Sequence, residues 1–289
     1  ETWNGTNWTE VNDLSDGRYG SASAGTSTAG IIAGGGSTDM ATTTEIWNGS
    51  NWTEVNDLNK KRRNMRGAGT TTAMVAYAGF SPPHTSDTEL WNGTNWTEVN
   101  NMNTAKYNMA GAGQLSTSAL SAGGETSADP TSALTEQWNG TNWTEVNDLN
   151  TAKSSIAGVG ATYTAALCVG GNVGNSPNVN GSGETELWNG TNWTEVNDLN
   201  TARRDLGGAG TNTLGLVFGG LKPPGTWYGV TESWNGTNWT EDGDLNTARE
   251  ITGQASGTQS AALACGGINA PGTYLNPVEE FTGAGASVT

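Results

Sequence analysis

Six basic residues, Arg18, Arg62, Lys106, Lys153, Arg203 and Arg249, each stand fifteen positions after a tryptophan of a repeated motif. They are half of the chain's 12 Lys and Arg, so they dominate its cationic chemistry. One reading is an anion or carboxylate site at which these cations bind a ligand. The other is structural partnership with Asp13, Asp57, Asp148, Asp198 and Asp244, which recur just upstream. The structural reading is preferred, because surface charges are usually paired or solvated. Trp227 and Tyr228 form a second candidate contact. Trp227 is the only one of 13 Trp outside the repeated pattern, and it either meets a ligand or folds back onto its own scaffold.

Catalytic material is sparse. The single histidine, His84, gives triads and His-ligated metals almost nothing to work with. No EF-hand spacing is present, the Gly-Gly pairs precede no helix, and no metal or cofactor is expected. Carboxylates such as Glu232 and Asp244 could serve a glycan-active enzyme. They recur in nearly every unit, however, which suits structure better than a unique catalytic pair. Cys168 and Cys265 sit in apolar runs beside Gly-Gly and read as buried small hydrophobes rather than a disulfide.

Those residues must be held by something, and the repeats say what. Trp-Asn-Gly-Thr-Asn-Trp or a near copy begins at Trp3, Trp47, Trp91, Trp138, Trp188 and Trp234. The second tryptophans are Trp8, Trp52, Trp96, Trp143, Trp193 and Trp239. A period of 44 to 50 residues indicates propeller blades or helical pairs. Units rich in Gly, Asn and Thr exclude the helical option.

Each unit reads as four strands, a to d. Strand a is Gly, Ala, Ser and Thr, thin enough to crowd around an axis. Strand b is the most apolar, as in Ile31-Ile32-Ala33 and Ala165-Ala166-Leu167-Cys168-Val169, and should be buried on both faces. Asn-Gly marks a c–d hairpin that places the two tryptophans opposite each other. Such a pair contributes roughly 0.2–1 kcal/mol beyond Ala–Ala. Each copy also holds N-x-[ST] strings such as Asn4-Gly5-Thr6, read here as serving the turn rather than as glycosylation acceptors.

This pattern resembles the kelch repeat, in which a glycine pair ends the second strand, an aromatic and a Trp follow, and a basic residue opens the next blade. The glycine pairs here are Gly34-Gly35, Gly123-Gly124, Gly170-Gly171, Gly219-Gly220 and Gly266-Gly267, with Ala78-Gly79 as the departure. Trp replaces the usual Tyr at the first aromatic. The match covers essentially all of residues 1–289, and the motif style also looks like tandem propeller repeats of bacteriophage and environmental viral proteins. The resemblance implies an all-β, six-bladed β-propeller of four-stranded antiparallel blades.

The blades are expected at about 18–58, 62–102, 106–149, 153–199, 203–245, and 249–267 with 1–14. N-terminal strands c and d would then join C-terminal strands a and b to close the ring. Val278-Glu279-Glu280-Phe281 resembles another strand c, so 277–289 either competes with the N-terminal strand or leads into a further domain. An up-and-down blade puts b–c and d–a connections on one face. The variable segments Gly36–Thr43, Phe80–Asp87, Glu125–Leu134, Asn172–Gly183, Leu221–Val230 and Ile268–Pro277 are all b–c loops. The six basic residues, placed in d–a, should ring the channel mouth on that face.

A net charge of −16 argues against nucleic acid, and no stretch is apolar enough for a membrane helix. The expectation is a non-enzymatic recognition or assembly propeller, extracellular or on a virion surface. Its b–c loops would contact a host surface, a glycan or a neighbouring virion or filament subunit. The alternatives are a lectin-like propeller with repeated Trp-lined sugar pockets, and the disfavoured carboxylate enzyme.

Overall fold

A computed structural model describes residues 8–174, 181–222, 225–251, 256–270 and 273–281. Every regular element among them is a strand, and six four-stranded antiparallel sheets form the blades. Blade 1 is typical: strand a Ala22–Thr26, b Ala29–Ala33, c Thr44–Trp47 and d Trp52–Val55. Strands a of successive blades pack side by side around an axis, and the last, Ser256–Thr258, packs on the first and closes the ring.

The repeated letters have separable tasks. The hairpin asparagine makes the turn: Asn48 Oδ1 accepts the backbone N–H of Ser50 and Asn51, both at 2.9 Å, and Gly49 follows at φ 89°. Trp47 then stands directly opposite Trp52, as do the pairs in blades 2 to 5, with ring centroids 5.2–5.5 Å apart. The first indole donates to a carbonyl of its own a–b turn, for example Trp47 Nε1 to Ser27 O at 2.9 Å. The second reaches back one blade, as Trp96 Nε1 to Thr44 Oγ1 at 3.1 Å. The Asn after strand d reaches forward: Asn56 Nδ2 donates to Thr94 O and Asn95 Oδ1, both at 2.9 Å. Hairpins are thereby hydrogen-bonded to their neighbours through recurring letters, with Gly243 in place of that Asn in blade 5.

The recurrent Asp of the Asn-Asp-Leu segment fastens the start of strand c rather than a cation. Asp57 Oδ1 accepts Thr44 N, and Asp148 and Asp244 do the same for Thr135 and Thr231. Strand b is buried on both faces, as expected. Cys168 and Cys265 are both free, and burial pushes each thiol up to about 12.

Closure differs from the expectation. Strand c of blade 6 is Thr273–Phe281, from the C-terminal side, so Val278-Glu279-Glu280-Phe281 takes the place assigned to an N-terminal strand c. The N-terminal contribution among the described residues is strand d alone, Thr9–Val11, paired Thr9↔Glu280 to Val11↔Val278. Trp3 and the rest of residues 1–7 lie outside the described residues. Strand b of blade 6 extends to Ala270, so Ile268–Pro277, expected as a loop, is largely the end of a long b–c hairpin.

Candidate functional site

The six repeated cations do not stand free at the channel mouth. Each is buried, at 0–3% exposure. In four blades the side chain turns inward and ion-pairs with the strand-c glutamate of the blade it opens. Arg18 meets Glu45, Arg62 meets Glu89 at 2.8 Å, Lys153 meets Glu186 at 3.0 Å and Arg203 meets Glu232. Lys106 lies beside Glu136 and donates to Leu134 O, and burial pulls its ammonium down to about 8 against that carboxylate. Arg249 Nη2 donates to Ala264 O. The glutamates are shared nodes: Glu89 Oε2 also accepts the backbone and side-chain N–H of Asn59, both at 2.8 Å. Four of the cations are thus paired with Glu rather than with the upstream Asp, and Lys106 and Arg249 donate to backbone carbonyls. Glu232 and Asp244, named for carboxylate chemistry, are spent in the same framework.

The backbone of these segments knits the b–c face. The carbonyl of each cation accepts the second glycine N–H of the preceding blade, from Gly35 N to Arg62 O at 2.9 Å around to Gly267 N to Arg18 O at 3.2 Å. Two residues on, a second circle runs nearer the axis. Asn108 N donates to Asn64 O, Ser155 N to Asn108 O, Asp205 N to Ser155 O and Ile251 N to Asp205 O, at 2.7–3.3 Å. Asn64, Asn108, Ser155 and Asp205 hold φ of 54–55°, a left-handed conformation in which Asn and Asp are enriched.

Between those circles lies one residue per blade whose side chain is needed by neither: Tyr19, Arg63, Tyr107, Ser154, Arg204 and Glu250. Its backbone pairs with the start of its own b–c connection, as Tyr19 with Gly36 and Glu250 with Ile268. All but Ser154 are half-buried. On one side these side chains make an aromatic belt. Tyr274 stacks on Tyr19 at 5.5 Å, and the Arg63 guanidinium lies 5.3 Å from the Tyr19 ring and 5.4 Å from Phe80. Phe80 meets Tyr107 at 5.6 Å, His84 stacks on Tyr107 at 4.7 Å, and Tyr107 donates to Glu125. On the other side the groups are charged. Arg204 lies 3.5 Å from Asp205, and Glu250 is pushed up to about 7 by burial and by the Asp205 carboxylate.

The axis behind this mouth is filled by a departure from the small-residue rule of strand a. Arg66 opens strand a of blade 2 and reaches past blade 3 to Ile156 O in blade 4, at 3.3 Å. Gly111 makes room, since a Cβ there would lie 2.7 Å from the Arg66 stem. Burial lowers Arg66 to about 10. At the opposite end of the axis, strand-a glycines line a cavity of about 30 Å³, room for little more than water.

The other sequence candidates are accounted for locally. Trp227 is half-buried in a two-stranded extension, paired with Leu221, and Tyr228 N donates to Gly220 O. The repeated tryptophans other than Trp3 and Trp52 are buried at 0–6%, and Trp52 is half-buried. They pack in the buried clusters between blades, so among the described residues these indoles do not lie open at the surface.

Sequence reading missed the mouth residues although a signal existed. The position directly after each repeated cation is one at which the copies disagree, and it adjoins a position at which they agree.

No family model matches the chain, and no curated protein matches it. Among solved structures, one titled "Structure of YjhT" is similar in fold, with TM-score 0.76 over 94% of this chain and 97% of that one, at 11% identity. At that identity the likeness concerns the fold alone.

Proposed function

We propose that this propeller is a non-catalytic recognition module that binds its partner with the b–c face, around the axial mouth. The observation that carries this reading is the ring of Tyr19, Arg63, Tyr107, Ser154, Arg204 and Glu250. Its side chains vary within a framework whose other parts are held nearly constant. Half-exposed aromatics beside a guanidinium suit contact with a partner, because large apolar surface is desolvated there while charge supplies orientation. The repeating cations are buried, four of them in pairs with repeating glutamates, which leaves the non-repeating groups to recognise something. The kelch-like glycine pairs and the viral style of the hairpin favour a surface or appendage domain, extracellular or on a virion. A host-surface glycan is the partner class we test first.

The experiment is glycan-array binding by the intact chain and two face variants. Arg63→Ala with Tyr107→Ala should abolish binding. Thr94→Ala with Thr141→Ala, at exposed c–d tips on the opposite face, should leave it unchanged. Equal binding by both variants would refute the assignment of the face.

A further inference from the structure

The ring seam carries a cleft that the repeats do not explain. It measures about 380 Å³, within the range of small-molecule sites. Its walls come from three parts of the chain: Asp16 and Arg18 before strand a of blade 1, Ser37, Asp39 and Thr43 of the first b–c connection, and Tyr274 of the long blade-6 hairpin. The seam itself is tied by Arg18 N to Leu275 O at 3.3 Å and Gly267 N to Arg18 O at 3.2 Å. Residues distant in sequence therefore meet here because the ring is closed.

The lining departs from the repeat. Asp16 stands where the later units have Lys60, Thr104, Thr151, Thr201 and Thr247. Asp16 and Asp39 are exposed and make no ion pair among the described residues. Arg18, almost wholly buried at the cleft base, donates to Thr43 O and to Glu45, and its Nε–H, like that of Arg62, has no acceptor among the described residues. Ser37 and Thr43 bring hydroxyls, and Tyr274 brings a ring held in place by its stack on Tyr19.

A ligand for this lining must donate to carboxylates, exchange hydrogen bonds with the Ser37 and Thr43 hydroxyls and offer an apolar face to a tyrosine. A simple cation would stand beside the Arg18 guanidinium and make no use of the hydroxyl donors. An anion would face two carboxylates. Adjacent hydroxyls on a pyranose ring donate and accept together, and the C–H face of the ring packs on an aromatic. We propose that the seam cleft is a binding site for one neutral saccharide unit. This deepens the recognition reading and rests on it for the ligand class. Because the sugar would touch both sides of the seam, binding should also stabilise the closed ring.

The test is saturation-transfer NMR and thermal unfolding of the full chain with methyl α-glucoside, methyl β-galactoside, N-acetylglucosamine and lactose, with glucuronate as the charged control. At least one neutral sugar should receive saturation and raise Tm, and glucuronate should do neither. Tyr274→Ala should weaken binding at least about tenfold, which is about 1.4 kcal/mol. Asp39→Asn, at an exposed site that leaves packing intact, should do the same with an unchanged sugar-free Tm. Binding that survives Asp39→Asn, preference for glucuronate, or silence from every neutral sugar would each overturn the cleft. Sugar binding lost in Arg63→Ala but kept in Tyr274→Ala and Asp39→Asn would overturn the cleft and leave the recognition face standing.

Discussion

Trp52 packs beside Val278 at the one seam where its counterparts find a threonine. Trp96, Trp143, Trp193, Trp239 and Trp8 donate to Thr44, Thr88, Thr135, Thr185 and Thr231, at 3.0–3.3 Å. The indole N–H of Trp52 is buried without a partner among the described residues. An unmade buried hydrogen bond costs about 1–3 kcal/mol. Val278→Thr should therefore stabilise the protein by about 1 kcal/mol, and Thr88→Val, which strands Trp143, should destabilise it by about 1–3 kcal/mol. Urea unfolding of the two variants checks both signs.

The buried pair Arg62–Glu89 gives a second prediction. Removing one partner of such a pair costs about 3–5 kcal/mol, because the other charge is left in low dielectric. Arg62→Met should lose that much. Adding Glu89→Gln removes the orphaned charge yet keeps an acceptor for Asn59, and should recover more than half. A double variant as unstable as the single one would contradict the pairing.

Much of the scaffold was legible in the sequence. Trp-Asn-Gly-Thr-Asn-Trp specifies its hairpin by local chemistry, through an Asn that makes the turn and a Gly at positive φ, so no distant contact is needed to read it. The Gly-Gly pairs were also legible, and Ala78 shows their constraint by adopting φ 58° where the others have glycine. The cations were legible only in part: their structural role was, their burial and glutamate partners were not. Arg62 lies in a connection between blades, which suggests a surface, but its long side chain turns inward and carries its charge to Glu89. The closing strand was ambiguous because both termini hold strand-like letters, and only three-dimensional pairing separates them. The mouth ring was overlooked because a repeat draws attention to agreement, whereas Arg63 and Glu250 are marked by disagreement.

Among the described residues, those of the N-terminal strand Thr9–Val11 close the seam. Trp8 anchors them: it packs edge-on against Phe218 at 5.1 Å, and its carbonyl accepts Asn246 Nδ2 at 2.7 Å. Trp8→Ala should cost about 3–5 kcal/mol. Hydrogen exchange should rise first in Thr273–Phe281, which loses its edge partner. Uniform loosening of all six blades would contradict a seam held by that strand.

Glu250 sets a pH dependence. Its carboxyl, raised to about 7 in the folded protein, titrates near 4.3 when unfolded. Between those values the folded state holds a proton that the unfolded state has released. Stability should therefore fall as pH rises from about 4.5 to 7. Glu250→Gln should flatten that part of the curve, as read from denaturant midpoints at each pH.

Blocking one face at a time tests the central claim most directly. Cys168 is buried, and both native thiols are raised to about 12, so a cysteine introduced at an exposed site can be labelled selectively. Lys61→Cys puts a polyethylene glycol on the b–c face, and Thr94→Cys puts it at a c–d tip. The prediction is that glycan-array binding is lost on labelling Lys61→Cys and retained on labelling Thr94→Cys. Loss on labelling Thr94→Cys, with binding intact after labelling Lys61→Cys, would place recognition on the repeated face and contradict the account.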